Sequence, residues 1–210
     1  TGQWICLTPD FAKVYEAALV VTDRSNGAFD AGIGELVEMW GFGANPAPFP
    51  PDETALAAAC QRAGTHHLAY EPETRRLRQS GGVHLDFSGI AKGFGVDALG
   101  DVLRQHHCHH ALIEIGGELL GLGMRPDGDP WWVDLETPTD GVEPLRIALH
   151  QLAVATSGDY VQGFHTISPR THKPVTRAMA VSVLHESAMF ADAWATALSV
   201  ETEDAMKALA

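Results

Sequence analysis

A carboxylate, a serine-glycine turn and a lysine follow one another in the stretch 86–97, which constrains the fold more than any other part of the chain. Asp86 lies in a short apolar run, 83–87, that predicts a strand. Lys92 lies in the first turn of a predicted amphipathic helix. The apolar face of that helix is predicted to contain Ile90, Phe94, Ala98, Leu99, Val102 and Leu103. The chain therefore turns from strand to helix between two charged groups.

This stretch has two interpretations. Backbone N–H groups at a helix N-terminus, backed by a lysine, favour an anionic ligand such as phosphate. The upstream carboxylate of Asp86 could fix a polar ring or a metal. Taken alone, the stretch favours the alternative, a serine-capped helix with a solvated lysine. It is not a Walker A loop, because the glycine spacing is wrong and no Ser or Thr follows Lys92.

The acidic charge balance limits what the chain can bind. With 210 residues, of which 45% are hydrophobic and 20% are charged, it is predicted to form a single globular domain, or one domain with a lobe, with its own core. A formal net charge of −13 argues against nucleic acids and anionic membranes as non-specific partners. An anionic ligand would need local help from a divalent cation, a helix N-terminus or a lysine. No apolar run is long enough to predict a membrane span.

Local patterns predict a mixture of helices and short strands, which is typical of an α+β fold with mixed or antiparallel sheets. Thr8 is predicted to cap a helix that ends near 25–27, and Asp52 a helix that ends at Gly64. The segment 116–123 is predicted to be a tight turn. A last helix is predicted over 187–200. Strands are predicted over 67–70, 75–79, 83–87, 111–115 (of a buried type), 132–136, 145–150, 152–156 and 179–184.

Three glycines surround an aromatic residue and a carboxylate in the segment 27–34. This composition indicates backbone that lies close to something flat or bulky. A plain connecting loop is the alternative, and the segment alone favours it.

Asp192 and Thr196 are four residues apart in the predicted last helix, so both oxygens project from one face. A carboxylate and a hydroxyl on one face form half of a hard-oxygen site that suits Mg²⁺. The alternative is a threonine that bonds back to the Asp192 carbonyl, with the carboxylate in water. Four alanines surround the pair and weaken this alternative, because small residues allow a ligand to approach.

Five passages in order, within 27–30, 86–97, 115–123, 156–169 and 191–196, together resemble the ApbE family of FAD:protein FMN transferases. The resemblance runs from about Gly27 to Leu198. It implies an ApbE-like α+β fold that binds FAD as substrate and Mg²⁺ as cofactor. The implied reaction moves the FMN half of FAD to a threonine of an acceptor protein and releases AMP.

The resemblance also implies roles for individual residues. The metal ligands would be the Gly89 carbonyl and the side chains of Asp192 and Thr196. Lys92 would lie near the FAD phosphates. The other residues implied to contact FAD are Ala28, Phe29, Asp30, Asp86 and His165.

A threonine hydroxyl is a weak nucleophile at its free pKa, so the implied reaction needs a general base. His165 is the first candidate and Asp159 the second. The same site would also suit a Mg²⁺-dependent FAD pyrophosphatase that yields FMN and AMP, or a non-catalytic FAD-binding module. Compared with the family, we expect 1–210 to lack an N-terminal segment and the last C-terminal strands. The resemblance suggests a periplasmic location, free or anchored at the inner membrane.

Overall fold

The computed structural model of the chain describes residues 2–135, 137, 143–158, 163–176 and 180–209. The chain divides into two compact units. Unit 1 consists of Thr1–Ser88, Phe164–Thr176 and Val200–Ala210, and unit 2 of Gly89–Gly163 and Arg177–Ser199. The first boundary falls inside the stretch 86–97. The prediction of a single domain stays a prediction.

Helices and antiparallel strands make up the described residues, as the α+β prediction expects. The helices are α1 (Pro9–Arg24), α2 (Gly34–Met39), α3 (Glu53–Arg62), α4 (Ala91–Gln105), α5 (Ala188–Val200) and α6 (Glu203–Leu209). The strands are β1 (Ile5–Cys6), β2 (Leu68–Glu71), β3 (Arg76–Gln79), β4 (Ala111–Ile115), β5 (Glu118–Leu122), β6 (Trp131–Asp134), β7 (Arg146–Leu149), β8 (Leu152–Gly158) and β9 (Ala180–His185). Within the described ranges, no helix combines the length and the apolar character that crossing a membrane requires.

The first helices of unit 1 begin at the predicted caps. Thr8 Oγ1 accepts a hydrogen bond from the Phe11 N–H at 3.4 Å, and Asp52 Oδ1 accepts one from the Ala55 N–H at 2.8 Å. These side chains satisfy N–H groups that have no partner inside the helix. Both predicted N-caps are therefore confirmed.

Unit 1 contains a three-stranded antiparallel sheet in the order β1-β3-β2 and two apolar clusters. One cluster lies between α1 and the sheet and includes Leu7, Ala12, Tyr15 and Leu77. The other joins α2, α3 and the later segment of the unit and includes Leu36, Val37, Ala59, Ala63 and Ile167. Burial of these side chains holds the unit together.

The segment 83–87 is not a strand, and this prediction is wrong. Its backbone bonds to the glycine-rich loop instead, because the Asp86 N–H donates to the Ala31 carbonyl at 2.8 Å and the Gly34 N–H to the His84 carbonyl at 2.9 Å. A Cβ atom at Gly34 would lie 2.9 Å from that His84 oxygen. Pairing with an irregular loop thus replaces a strand ladder and fixes Asp86 beside the loop.

Unit 2 is built on a four-stranded antiparallel sheet in the order β4-β5-β8-β9. β4 and β5 are joined by Gly116 and Gly117, whose φ angles of 62° and 100° suit a two-residue hairpin turn. The predicted tight turn over 116–123 is therefore a turn of two residues followed by a strand. β4 lies at the sheet edge and buries Ile113 alone of its five residues, so its predicted burial is also wrong.

The predicted buried face of α4 is correct only in part, since Ile90 is buried and Leu103 packs against the core. Leu99 and Val102 are 43% and 47% exposed. Val96, Gly100 and Leu103 face the sheet, and Val96 joins Leu120 and Leu122 in the core. Gly93 is also buried, but it faces the start of α5. Gly100 lets the helix approach the sheet closely, and Gly93 lets it approach α5. The buried stripe therefore contains positions that a hydrophobic pattern does not mark.

Candidate functional site

Asp192 and Thr196 lie one turn apart on α5, so their side chains leave the helix on the same face. Asp192 is buried, with 4% of its surface exposed, and Thr196 is half-buried. Thr22 of α1 bonds its hydroxyl back to the Ala18 carbonyl at 2.8 Å. In the part of the chain that the structure describes, Thr196 makes no matching bond to the Asp192 carbonyl. The alternative of a self-bonded helix residue is therefore not supported.

Gly89 approaches this helix at Thr196. A Cβ atom at position 89 would lie 2.7 Å from Thr196 Oγ1 and 3.1 Å from Thr196 Cγ2. Real Cβ atoms essentially never come so close to another heavy atom, so only glycine fits here without a shift. Unit 2 thus brings Gly89 and Thr196, two of the predicted metal ligands, into direct contact.

α4 crosses the start of α5 at Gly93. The Gly93 N–H donates to Asp192 Oδ2 at 3.0 Å. A Cβ atom at position 93 would lie 2.2 Å from the Ala188 carbonyl oxygen, so the two backbones are nearly in contact. This N–H is one of the helix-terminal donors that lack a partner within α4, and the carboxylate satisfies it. The crossing therefore fixes Asp192 at the N-terminus of α4.

Asp97 fastens the same two helices one turn further along α4. Its carboxylate accepts hydrogen bonds from Ser187 Oγ at 2.6 Å, from the Ala188 N–H at 2.8 Å and from the Met189 N–H at 3.1 Å. An aspartate that bonds the first N–H groups of a helix acts as its N-cap, here from a neighbouring helix. Sequence reasoning did not single out Asp97 for this role.

Lys92 lies between two buried carboxylates. Its ammonium group donates to Glu118 Oε1 and lies 3.8 Å from Asp192 Oδ1. The side chains of Glu118 and Asp192 are 2% and 6% exposed, whereas that of Lys92 is 43% exposed. The predicted alternative of a solvated lysine is therefore incomplete, because the charged end of Lys92 is paired inside the unit.

Burial raises the pKa of the Asp192 carboxyl to about 6. The Lys92 ammonium and the Gly93 N–H oppose this shift, and the negative charge of Glu118 adds to it. A buried carboxylate whose charged form is disfavoured gains when a cation binds it. Positive charge beside Asp192 would therefore stabilise the charged form of its carboxyl.

The donors at this site fit Mg²⁺, a small hard cation that prefers oxygen ligands. Asp192 offers a buried carboxylate, Thr196 a hydroxyl, and Gly89 a backbone beside Thr196. Within the described ranges, no three His, Cys, Asp or Glu residues are grouped for a metal. The donors present are one carboxylate, one hydroxyl and one main-chain segment, which matches the preference of Mg²⁺ for few carboxylates.

Glu118 is the residue of this site that sequence reasoning missed, because it falls in the segment interpreted as a turn. Its side chain lies on the same buried face of β5 as Leu120 and Leu122. A glutamate in strict alternation with buried leucines is unusual, since burying a charge is unfavourable without a partner. The alternation of Glu118 with Leu120 and Leu122 could have marked Glu118 as a buried, paired residue.

In unit 1, the predicted flavin-binding loop forms a turn with side-chain hydrogen bonds to its backbone. Ala28 and Phe29 are buried, and the Phe29 N–H donates to Ser25 Oγ at 3.2 Å. Asp30 Oδ1 accepts hydrogen bonds from the Gly32 N–H at 2.7 Å and from the Thr65 N–H at 3.0 Å. The Asp30 carboxylate therefore holds the loop in shape.

Asp86 lies beside this loop through its bond to the Ala31 carbonyl. Its side chain is half-buried, and Oδ1 accepts a hydrogen bond from the Ser88 N–H at 2.8 Å. Unit 1 thus brings Asp86 together with the loop that carries Ala28, Phe29 and Asp30.

His165 is half-buried in unit 1 and packs edge-on against Phe42, with 6.3 Å between the ring centres. Five residues later, Arg170 donates to the Asn26 carbonyl at 3.0 Å and to the Ser25 carbonyl at 2.6 Å. Its Nη2 also lies 2.8 Å from Glu201 Oε1. Arg170 therefore ties the segment after His165 to the residues before the predicted flavin loop. Asp159, the second candidate base, lies outside the described residues.

Comparison with known proteins gives consistent matches. The sequence model of the ApbE family matches residues 1–210. An FAD:protein FMN transferase of Vibrio cholerae serotype O1 is 36% identical over 94% of this chain, and one of Haemophilus influenzae is 34% identical over 94%. The chain spans 62% of the length of each of these two relatives.

Solved structures show the same fold. The flavin transferase ApbE from Vibrio cholerae superposes with a TM-score of 0.91 and 33% identity, covering 100% of this chain and 70% of that one. The apo form of the Pseudomonas stutzeri flavinyl transferase ApbE gives a TM-score of 0.88 and 32% identity, covering 100% of this chain and 67% of that one. The predicted α+β fold of this family is thereby confirmed.

Proposed function

The chain belongs to the ApbE family, and on this basis we propose that it acts as a Mg²⁺-dependent FAD:protein FMN transferase. A threonine hydroxyl of an acceptor protein attacks the FMN phosphorus of FAD. The bond from that phosphorus to the bridging oxygen breaks, AMP leaves with this oxygen, and FMN is joined to the threonine by a phosphoester. The observation that carries the proposal is the cluster of Gly89, Lys92, Asp192 and Thr196 in unit 2.

Asp192, Thr196 and the Gly89 carbonyl would hold the Mg²⁺ ion. When bound, the ion would neutralise pyrophosphate oxygens and act as a Lewis acid. Asp192 supports this role because burial disfavours its unpaired charge, as its raised pKa indicates. Thr196 supports it because its hydroxyl is not bonded back to the carbonyl one turn earlier.

Lys92 would supply positive charge for the phosphates of FAD. The chain has 14 basic and 27 acidic residues, so a phosphate ligand depends on local positive charge. The ammonium lies near the N-terminus of α4, whose backbone dipole also favours anions. In unit 1, the residues that we propose for contacts with FAD are those implied by the family resemblance: Ala28, Phe29, Asp30, Asp86 and His165.

His165 is our first candidate for the base that takes the threonine proton. A neutral imidazole accepts a proton near pH 7, and a positioned base contributes about 10²–10⁴ to a rate. His165→Ala should therefore lower the transfer rate at saturating FAD by about 10²-fold or more, with little change in FAD affinity. His109, an exposed histidine in unit 2, gives the control variant His109→Ala. A loss of FAD affinity with an unchanged saturated rate would leave the base role to Asp159 or to a water molecule.

One incubation tests the proposed reaction. The chain is mixed with FAD, Mg²⁺ and an acceptor protein that carries a target threonine, and a second acceptor has valine in place of that threonine. We expect covalent FMN on the first acceptor only, and AMP in an equal amount.

Other products would contradict the proposal in distinct ways. Free FMN and AMP without labelled acceptor would identify an FAD pyrophosphatase. Bound but intact FAD would identify a non-catalytic flavin-binding module.

A further inference from the structure

Glu118 places a carboxylate on the core face of β5. It directly follows the Gly116-Gly117 turn and pairs with Ile115 across the hairpin. Its side chain is 2% exposed, and the next residues on the same face, Leu120 and Leu122, are core residues. A charged group in such a place needs a partner, and Lys92 provides it.

The cluster around Lys92 carries more negative than positive charge. Two buried carboxylates, Glu118 and Asp192, face one ammonium group. Glu118 Oε1 accepts from that ammonium, but Glu118 Oε2 is buried without a hydrogen-bond partner among the described residues. The ammonium stays 3.8 Å from Asp192 Oδ1, beyond hydrogen-bond distance. Lys92 therefore bonds to Glu118, and Asp192 Oδ1 stays available to bind another cation.

We propose that Glu118 is a positioning residue that draws the Lys92 ammonium away from Asp192, so that Asp192 can bind a divalent cation. This inference rests on the proposed function, which places Mg²⁺ at Asp192. In the low dielectric of a buried site, an ammonium that loses one carboxylate turns to the next within reach. Without the charge of Glu118, Lys92 pairs with Asp192 and competes with the cation.

The first test is a calorimetric titration of the FAD-free protein with Mg²⁺. Glu118→Gln keeps the size of the side chain and removes its charge, and we expect the affinity for Mg²⁺ to fall about tenfold, within the range of measured couplings in such networks. Glu114→Gln makes the same change at an exposed position on β4 and should leave the affinity unchanged. An unchanged affinity in Glu118→Gln would overturn the proposal.

A second comparison separates positioning from simple charge. If Glu118 acts by holding Lys92, then Glu118→Gln should change the affinity less than twofold in a Lys92→Met background, because the competing ammonium is absent. If Glu118 attracts the cation directly, the same tenfold loss persists in that background, and the positioning role is refuted. Circular dichroism checks that each variant folds.

A crystal structure of metal-free Glu118→Gln gives a readout that depends on neither Mg²⁺ binding nor the folding of Lys92→Met. We expect the Lys92 ammonium within hydrogen-bond distance of Asp192 Oδ1, closer than the 3.8 Å of the parent. An ammonium that stays on residue 118 would overturn the proposal. If instead the lysine moves but the parent binds no Mg²⁺ through Asp192, the positioning role stands and the proposed metal site fails.

Discussion

Gly93→Ala tests whether the crossing of α4 and α5 holds the proposed metal ligands Asp192 and Thr196 in place. A Cβ atom at position 93 would lie 2.2 Å from the Ala188 carbonyl oxygen and 2.8 Å from Met189 Cα. Both are backbone atoms at the start of α5, so they cannot rotate away as a side chain can. The helices must separate, or α4 must unwind at its first turn.

Gly95→Ala is the matched control, two residues along the same helix. A Cβ atom there would lie 3.2 Å from Ile115 Cδ1, the flexible end of a side chain. Each variant gains about 0.5–1 kcal/mol of helix propensity, so this gain cancels in the comparison. The remaining difference is the cost of overpacking, and Gly93→Ala should therefore be less stable than Gly95→Ala by about 1–3 kcal/mol.

Urea unfolding measures this difference directly, and a Mg²⁺ titration measures its effect on the site. Because the Gly93 N–H bonds to Asp192 Oδ2, separating the helices should also weaken Mg²⁺ binding in Gly93→Ala and not in Gly95→Ala. Equal stability of the two variants would refute the reasoning, since it would mean that the crossing tolerates a methyl group. Lower stability with unchanged Mg²⁺ affinity would show that Mg²⁺ binding does not depend on the helix crossing.

Three further variants extend these tests. For metal-free Asp192→Asn, we expect greater stability than the parent near pH 8, by roughly 2–3 kcal/mol. Because the pKa of the Asp192 carboxyl is raised to about 6, the parent loses stability as pH rises through that value and the carboxyl ionises. The difference in stability between Asp192→Asn and the parent should therefore shrink towards pH 4, and chemical unfolding that shows no such decrease would contradict this. Gly89→Ala should displace the Thr196 hydroxyl and weaken Mg²⁺ binding about tenfold in calorimetry, at little cost in thermal stability; a normal affinity would exclude the contact from the site. Asp97→Ala should lower the free energy of unfolding by about 1–2 kcal/mol because it removes the α5 cap, whereas the exposed Asp101→Ala should not.

The pairing of Asp192 and Thr196 on one face of α5 was predictable because it depends on local geometry. Residues four apart on a helix share a face wherever the helix lies, so Asp192 and Thr196 could be paired from spacing alone. Gly89 could be added through the family resemblance only. Its contact with Thr196 joins residues more than a hundred positions apart, which no local pattern encodes.

Glu118 escaped prediction because it breaks the pattern of its own strand. A polar residue after two glycines resembles part of a turn, and its burial depends on pairing with Lys92 from another element. The buried face of α4 was predicted only in part for a related reason, since Gly93 and Gly100 pack closely but add nothing to an apolar pattern. The burial of Glu118 and the buried face of α4 both depend on tertiary contacts, which the local sequence does not encode.

Other errors concern elements whose partners are irregular or short. The apolar run before Asp86 resembles a strand, but its partner is the glycine-rich loop. Strand β1 has two residues and helix α6 has seven, too few for a periodic signal, and neither was predicted.

The central claim, that Asp192 serves a metal-dependent flavin transfer, is tested most directly by the intact mass of the acceptor protein over time. The parent chain and Asp192→Asn are each incubated with FAD, acceptor and Mg²⁺, after a binding titration has shown that both retain FAD. We expect the parent to add one FMN to the acceptor and Asp192→Asn to add none over the same period. Acceptor labelled by Asp192→Asn at the parent rate would contradict the account.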